Sequence, residues 1–245
     1  MKKILLTGAD GFVGRNFVKL LNHKYDITQL QGDIRYVDTG ELYYFNYECV
    51  VHLAALAGVR KSHEMPNEYW DVNVNGSKAI FNAARSVPVI YASSSSVYEW
   101  WLSPYATTKY AMETIAPFNS IGLRFHTVYG DDSRPDMLYD RLLKRDPTLS
   151  YLTNHTRDYT HVNDVVSAID ICMDNFFDLA YNNKSRVKVM DVGNGRPVSV
   201  IDVANKVWPG HNLPIKEVTG ERAHTCANPG PLLELGWDPK HFILD

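Results

Sequence analysis

The chain has 245 residues, of which 45% are hydrophobic and 22% charged, with a formal net charge of −3. That composition supports a sizeable core and excludes a disordered chain, and so small a net charge gives no footprint for nucleic acid or an anionic membrane. Cys49, Cys172 and Cys226 are scattered, and the nine histidines show no HExxH or paired spacing, so a reducing cytoplasmic setting is expected, with no disulfide framework and no metal.

The start, MKKILLTGADG, has a basic lead but an apolar run too short and too broken for a signal peptide. No segment is long enough to cross a bilayer. The length suits one large α/β domain or a main domain with a small lobe, and no repeat or low-complexity linker interrupts it.

Lys3 to Thr7 reads as a buried parallel strand, followed by Gly8, Gly11 and Gly14 at three-residue intervals. Glycines there allow a tight turn, close backbone approach to a pyrophosphate, and close packing of the next helix. Phe12 to Leu21 has helical periodicity, with Phe12, Val13, Phe17, Leu20 and Leu21 on one side. The helix N-terminus therefore lies at the glycines, where its free N–H groups and dipole favour phosphate. Ile27 to Leu30 reads as a second strand. Asp33, nineteen positions past Gly14, is the candidate acid for the adenosine ribose; a carboxylate there favours NAD over NADP, although Arg35 is close by.

Cys49 to Ala57 is a continuous apolar run of the kind buried on both faces, and its His52 reads as a satisfied strand histidine. A long helix is expected from about Pro66 to Arg85, with Asn73 and Asn75 placed to bridge backbone groups. Val89 to Ala92 is a further strand. It delivers four serines, Ser93 to Ser96, and a Tyr-x-x-x-Lys pair, Tyr105 and Lys109, follows. A phenol is a poor base near neutral pH. A lysine one turn along the helix shares its face, and its charge favours phenolate, while a serine hydroxyl can share the proton with a substrate oxygen. The same pair also fits an ordinary helix start, so its force depends on the rest of the chain.

TGADGFVG, GDIR, HLAALAGVR, DVNVNG, YASSSSVY, YATTK, LRFHTVYG, RPDM and RDYTHVNDV occur in the order seen in extended short-chain dehydrogenase/reductases of the NAD-dependent nucleotide-sugar epimerase/dehydratase family. The resemblance covers nearly the whole chain, and HLAALAGVR, GLRFHTVYG and RPDM look most like UDP-glucuronate 4-epimerases. It implies a Rossmann-type doubly wound parallel sheet with a small C-terminal substrate-binding lobe. Residues 1–130 would bind NAD and carry the catalytic residues. Residues 131–245 would form mainly the lobe, with segments around 158–192 packing back on the first domain.

By the same resemblance Tyr105 is the catalytic base, and Lys109 holds the nicotinamide ribose and lowers the tyrosine pKa. Ser94, four positions before Tyr98, is the active hydroxyl, with Ser95 beside it. The cofactor would touch Gly8, Gly11, Phe12, Val13, Gly14, Asp33, Ile34, Leu53, Ala54, Ala55 and Asn73 as well as Tyr105 and Lys109. The substrate, a UDP-sugar, would touch Ser94 and Ser95, with Thr127 and Arg134 on a uronate carboxylate and Arg157 and Arg222 toward the diphosphate. Ser95 and Ser96 stand where a dehydratase of the family has an Asp-Glu pair, which points to epimerisation through a transient 4-keto sugar. Val162 to Cys172 resembles the helix that packs back on the sheet, with Asp164 near its start. Val187 to Val192 reads as a strand, and Ser199 caps a helix reaching about Val207.

The chain departs from the family by being shorter. A strand-helix unit is missing before GDIR, so the sheet is expected to be one strand shorter than usual. The connection from Tyr98 to Tyr105 is cut down, Glu99 stands where the family has glycine, and Trp100 and Trp101 either cover the site or pack at a subunit contact. The helix after Lys109 is expected to end by Pro117, and a homodimer is expected with less force than in the family. Two other readings stay open at this point: a reductase for a 4-keto nucleotide sugar, and a non-catalytic NAD-binding protein, which the intact Tyr105 and Lys109 disfavour.

Overall fold

The apolar runs become strands in the computed structural model, which describes residues 1–37, 46–84, 87–176, 179 and 189–245. The first part alternates strand and helix: β1 (Lys2–Thr7), α1 (Phe12–Leu21), β2 (Tyr25–Gln29), a 3₁₀ turn at Ile34–Tyr36, β3 (Cys49–His52), α2 (Val59–Glu64), α3 (Pro66–Trp70), a π-helical stretch (Asp71–Gly76), α4 (Ser77–Ala83) and β4 (Val89–Ser94). A 3₁₀ segment (Ser95–Leu102) leads to α5 (Pro104–Ile115), β5 (Ser120–Phe125) and β6 (Thr127–Tyr129). Then come α6 (Leu138–Leu143), β7 (Leu152–Thr153), β8 (Thr156–His161), α7 (Val162–Asp174), β9 (Val189–Val192), β10 (Pro197–Ser199), α8 (Val200–Val207), β11 (Ile215–Lys216) and α9 (Gly230–Glu234).

Six strands form one sheet in the order β2-β1-β3-β4-β5-β9, with every pairing parallel. Both faces are covered, which is why β4 is buried at all six positions. On one face Phe12 and Phe17 of α1 pack with Val165, Ile169 and Met173 of α7. On the other, Ile80 and Phe81 of α4 and Met112 of α5 pack on Val50, Val89 and Tyr91. This is the doubly wound Rossmann arrangement, and β2 has no further strand beside it among the described residues, in line with the shortened sheet. Strand order reverses between β1 and β3, so the crevice at their C-terminal ends is where such sheets bind ligands. The C-terminal part has its own cluster around Leu142, Leu152, Tyr159 and Val203, flanked by two small sheets, β10-β8-β6 and β11-β7.

Several boundaries differ from the sequence reading. The Cys49–Ala57 run is a strand only as far as His52; the chain then bends beside Gly8, where a Cβ would lie 2.6 Å from the Ala54 nitrogen. Helix begins at Val59 rather than Pro66 and breaks at Met65, whose φ of −132° and ψ of 49° fit a residue kept out of the α region by the following proline. The expected end at Arg85 and the expected strand start at Val187 lie outside the described residues. Helix α7 continues to Asp174, whereas α1 and α8 match their expected bounds, the latter capped by the Ser199 side chain accepting from the Asp202 N–H. Among the described residues no helix is long and apolar enough to cross a membrane, and no group of three or more His, Cys, Asp or Glu is placed to hold a metal.

Candidate active site

The glycine turn is built by close backbone packing. Gly8 has φ +72°, and a Cβ on Gly14 would lie 2.1 Å from the Gly8 carbonyl oxygen, so both positions need glycine. The Gly11 N–H donates to the Gly8 carbonyl at 3.0 Å, and Gly11 caps α1 with no side-chain hydrogen bond on the first-turn N–H groups. An uncapped helix N-terminus against a surface stripped of Cβ atoms suits a pyrophosphate. The turn opens into a cavity of about 390 Å³ that runs past Leu53 and Ala55 to Ser94, Tyr105 and Lys109 and on to Arg134, Arg157 and Arg222. A dinucleotide laid across the glycines would therefore end beside the Tyr-Lys pair, and the residues present fit NAD.

Tyr105 and Lys109 sit on α5, whose start is set by Ser103 accepting from the Ala106 N–H and by Pro104 in the first turn. Lys109 is 3% exposed and its Nζ donates to the Ala92 carbonyl at 2.9 Å. Burial pushes its pKa down to about 8, against a smaller upward pull from Glu113. Tyr105 is half-buried, its ring set edge-on to Tyr69 at 6.3 Å between centroids. Lys109 is not among the groups acting on the tyrosine pKa in this structure. Burial raises the phenol above its usual value, and the influences pulling it down are a hydrogen bond with Ser94 and the charge of Arg134. Ser94 lines the same cavity as Tyr105, and its Oγ accepts from the Ser96 N–H. Ser93 is occupied elsewhere, donating to Glu113 at 2.5 Å, which in turn grips Arg124 through Nε and Nη2 at 2.9 and 2.7 Å.

Around this centre several predicted residues act as supports. His52 bonds Thr7 Oγ1 at 2.7 Å and Ser77 Oγ at 2.9 Å, the satisfied strand histidine that was expected; burial, helped by the Lys109 charge, pushes its pKa down to about 3. Asn73 lies in the π-helical stretch, a distortion common at functional positions. Its Oδ1 accepts from the Leu56 N–H at 2.7 Å, and its Nδ2 donates to the Leu56 carbonyl and to Thr108 Oγ1, each at 3.0 Å. Asn73 therefore fixes the β3 to α2 loop against α5 without lining the cavity.

Three other predicted cofactor residues also lie outside the cavity wall. Ala54 backs Gly8. Ile34 is buried, and a Cβ on Gly76 would touch its Cγ1 at 2.7 Å. Asp33 caps the Ile34–Tyr36 turn and is gripped by Arg35, with Nη2 at 2.6 Å. That hydrogen bond holds the Asp33 carboxyl below its usual pKa.

At the other end Thr127, Arg134, Arg157 and Arg222 all line the cavity, as do Phe12, Val13 and Ser95. Arg134 is held through Nε and Nη2 by Asp136 at 3.1 and 3.2 Å. Arg157 donates from Nη1 to the Ala223 carbonyl and approaches His155 with Nη2. Trp100 and Trp101 line no part of this cavity. Trp100 stacks on Tyr110 at 5.4 Å, and Trp101, 63% exposed, faces a separate groove with Trp70 and Pro66, so the alternative of an aromatic cover over the site is set aside.

Among the lining residues that the sequence reading does not assign to the site are Glu221, His126 and Glu99. Glu221 reaches Arg60 at 3.1 Å. The His126 ring is buried with no hydrogen-bond partner among the described residues. Its place beside Thr127 in LRFHTVYG was the available signal.

A match to the NAD dependent epimerase/dehydratase family covers residues 4–183. UDP-glucuronate 4-epimerase 4 of Arabidopsis thaliana is 30% identical over 311 aligned positions, spanning 96% of this chain and 71% of that one. Among solved structures, MoeE5 in complex with UDP-glucuronic acid and NAD has a TM-score of 0.82 at 26% identity, covering 99% of this chain and 95% of the other. The UDP-glucuronic acid 4-epimerase of Bacillus cereus, in complex with UDP-glucuronic acid and NAD, has a TM-score of 0.81 at 25% identity with coverage of 99% and 95%. The chain belongs to the NAD-dependent epimerase/dehydratase family, and it is an NAD-dependent enzyme of the nucleotide-sugar branch of that family.

Proposed function

We propose that the protein is a UDP-glucuronate 4-epimerase, interconverting UDP-glucuronate and UDP-galacturonate in the cytoplasm. The observation that carries this reading is the presence of Thr127 and Arg134 in the same cavity as Ser94, Tyr105 and Lys109. Residues 1–130 would hold the cofactor and residues 131–245 mainly the sugar nucleotide. NAD, when bound, supplies a hydride acceptor at C4 of the sugar and returns the hydride, so no net oxidation occurs.

The chain's own residues do the rest. Tyr105 takes the proton of the C4 hydroxyl and gives it back after the ring has turned. Ser94 shares that proton and holds the oxygen near the phenol. Lys109 supplies positive charge and a hydrogen-bond donor beneath the cofactor ribose. Gly8, Gly11 and Gly14 seat the pyrophosphate at the start of α1, and Asp33 would take the adenosine ribose once Arg35 releases it. A 4-keto uronate is a β-keto acid, prone to lose carbon dioxide. Thr127 and the planar fork of Arg134 would fix its carboxylate so that the bond to it stays out of line with the carbonyl π system. Arg157 and Arg222 would take the diphosphate.

The test is to incubate the purified protein with UDP-glucuronate and catalytic NAD⁺ and separate the products. UDP-galacturonate is expected, with none from a Tyr105→Phe chain that still binds NAD. Stoichiometric consumption of reduced cofactor on a 4-keto sugar, with no epimer formed, would favour a reductase instead.

The exposed aromatics Trp70, Trp100, Trp101 and Tyr110 lie on α3, α5 and the segment before α5, and such a patch supports a subunit contact. We infer a homodimer through this face. Sedimentation should give the dimer for the wild type and the monomer for Trp101→Glu; a wild-type monomer at all concentrations would end that reading.

A further inference from the structure

Arg222 belongs to the C-terminal part of the chain, yet its guanidinium is held by the 3₁₀ segment that directly follows Ser94. Nη1 donates to the Ser95 carbonyl at 2.9 Å, Nε faces Glu99 Oε1 at 3.4 Å, and Cζ lies 5.2 Å from the centre of the Tyr98 ring. Tyr98 is itself fixed. Its hydroxyl donates to Asp191 at 2.9 Å, and Arg124 lies over its ring at 4.7 Å. Glu99 sits at a kink, with φ −130° and ψ 56° inside the 3₁₀ segment, and that turn brings its carboxylate into the cavity wall beside Arg222.

We propose that Glu99 is a positioning residue for the substrate: it orients Arg222 toward the nucleotide diphosphate and ties that contact to the segment carrying Ser94. The inference rests on the reading of Arg222 as a diphosphate ligand. An arginine on a mobile loop must lose rotamer freedom to bind phosphate; one already braced by a carbonyl, a ring face and a carboxylate has lost most of it beforehand. The ion pair is long and Glu99 is 39% exposed, so it adds little to fold stability. Its effect is on binding.

The test is a double-mutant cycle on the full chain with NAD present, reading UDP and dTDP affinity by calorimetry and melting temperature in parallel. Glu99→Gln should weaken UDP binding by about tenfold while the melting temperature moves by no more than about 2 °C. In an Arg222→Ala background the same change should have no further effect, because the brace then holds nothing. Where turnover is measurable, Glu99→Gln should raise KM with kcat nearly unchanged.

Unchanged UDP affinity in Glu99→Gln, an additive cycle, or a loss of affinity matched by a large fall in melting temperature would each overturn the assignment. A wild-type chain that binds neither nucleotide would overturn it together with the substrate reading. UDP binding that depends on Glu99, in a chain inert toward UDP-glucuronate, would leave this inference standing and remove only the proposed sugar.

Discussion

The two ends of the cavity are built by different means. The cofactor end is made of backbone. Within β1, the glycine turn and α1, Gly14 packs so close to Gly8 that a single Cβ would collide at 2.1 Å. The sugar end is made of side chains from remote segments: Arg222 and Glu99 are 123 positions apart, and Arg60 and Glu221 are 161 apart. At Gly8 and Gly14 the first end has no room for a Cβ. The second is held by exposed and half-buried ion pairs, each worth little alone, so it can differ between relatives while the fold stays the same.

That contrast can be broken at either end. The largest effect is expected at the backbone end. Gly14→Ala forces α1 away from the Gly8 carbonyl, and overpacking of this kind costs about 1–3 kcal/mol. NAD affinity should fall by more than tenfold in a titration, since the displaced N–H groups no longer converge on one phosphate. Affinity equal to wild type would show that the turn has slack the packing denies.

Over the single step from pH 7 to pH 5 a comparable or smaller effect is expected from acid, acting between β1, β3 and α4 through His52. Its imidazole stays neutral in the folded chain down to about pH 3 because it is buried, while in the unfolded chain it titrates near 6.5. The unfolded state therefore binds the extra proton first, and stability present above pH 6.5 is lost as pH falls toward 3, at up to about 1.4 kcal/mol per pH unit. Melting curves at pH 7 and pH 5 should show a smaller drop for His52→Gln than for wild type; equal drops would mean that other groups govern the acid limb.

The same contrast explains what could be read from the sequence. The β1-turn-α1 unit is local, so glycine spacing and helical periodicity were enough to place it, with α1 found at the expected bounds Phe12–Leu21. The serine run and the Tyr105–Lys109 pair were legible as one stretch because an apolar strand and a capped helix deliver them, whereas the choice of Ser94 within the run came from the family resemblance. The influences on the tyrosine were not legible. The charge that opposes its burial belongs to Arg134, from beyond β6, and no spacing rule connects the two. Glu99 was visible only as a departure from the family, since its partner comes from the other end of the chain. The strand after Cys49 was read too long because composition does not reveal that Gly8 needs the space beside Ala54.

The central claim is that the sugar end is built for a uronate. That proposal turns on Arg134, a cavity arginine whose Nε and Nη2 face the Asp136 carboxylate. The direct measurement is product analysis of Arg134→Ala beside wild type, each with UDP-glucuronate and NAD⁺. The account predicts clean UDP-galacturonate from wild type. From the variant it predicts a KM raised on the order of tenfold, with a decarboxylated UDP-keto-pentose, carbon dioxide and an equal amount of NADH among the products. An unchanged KM and an unchanged product ratio would contradict it.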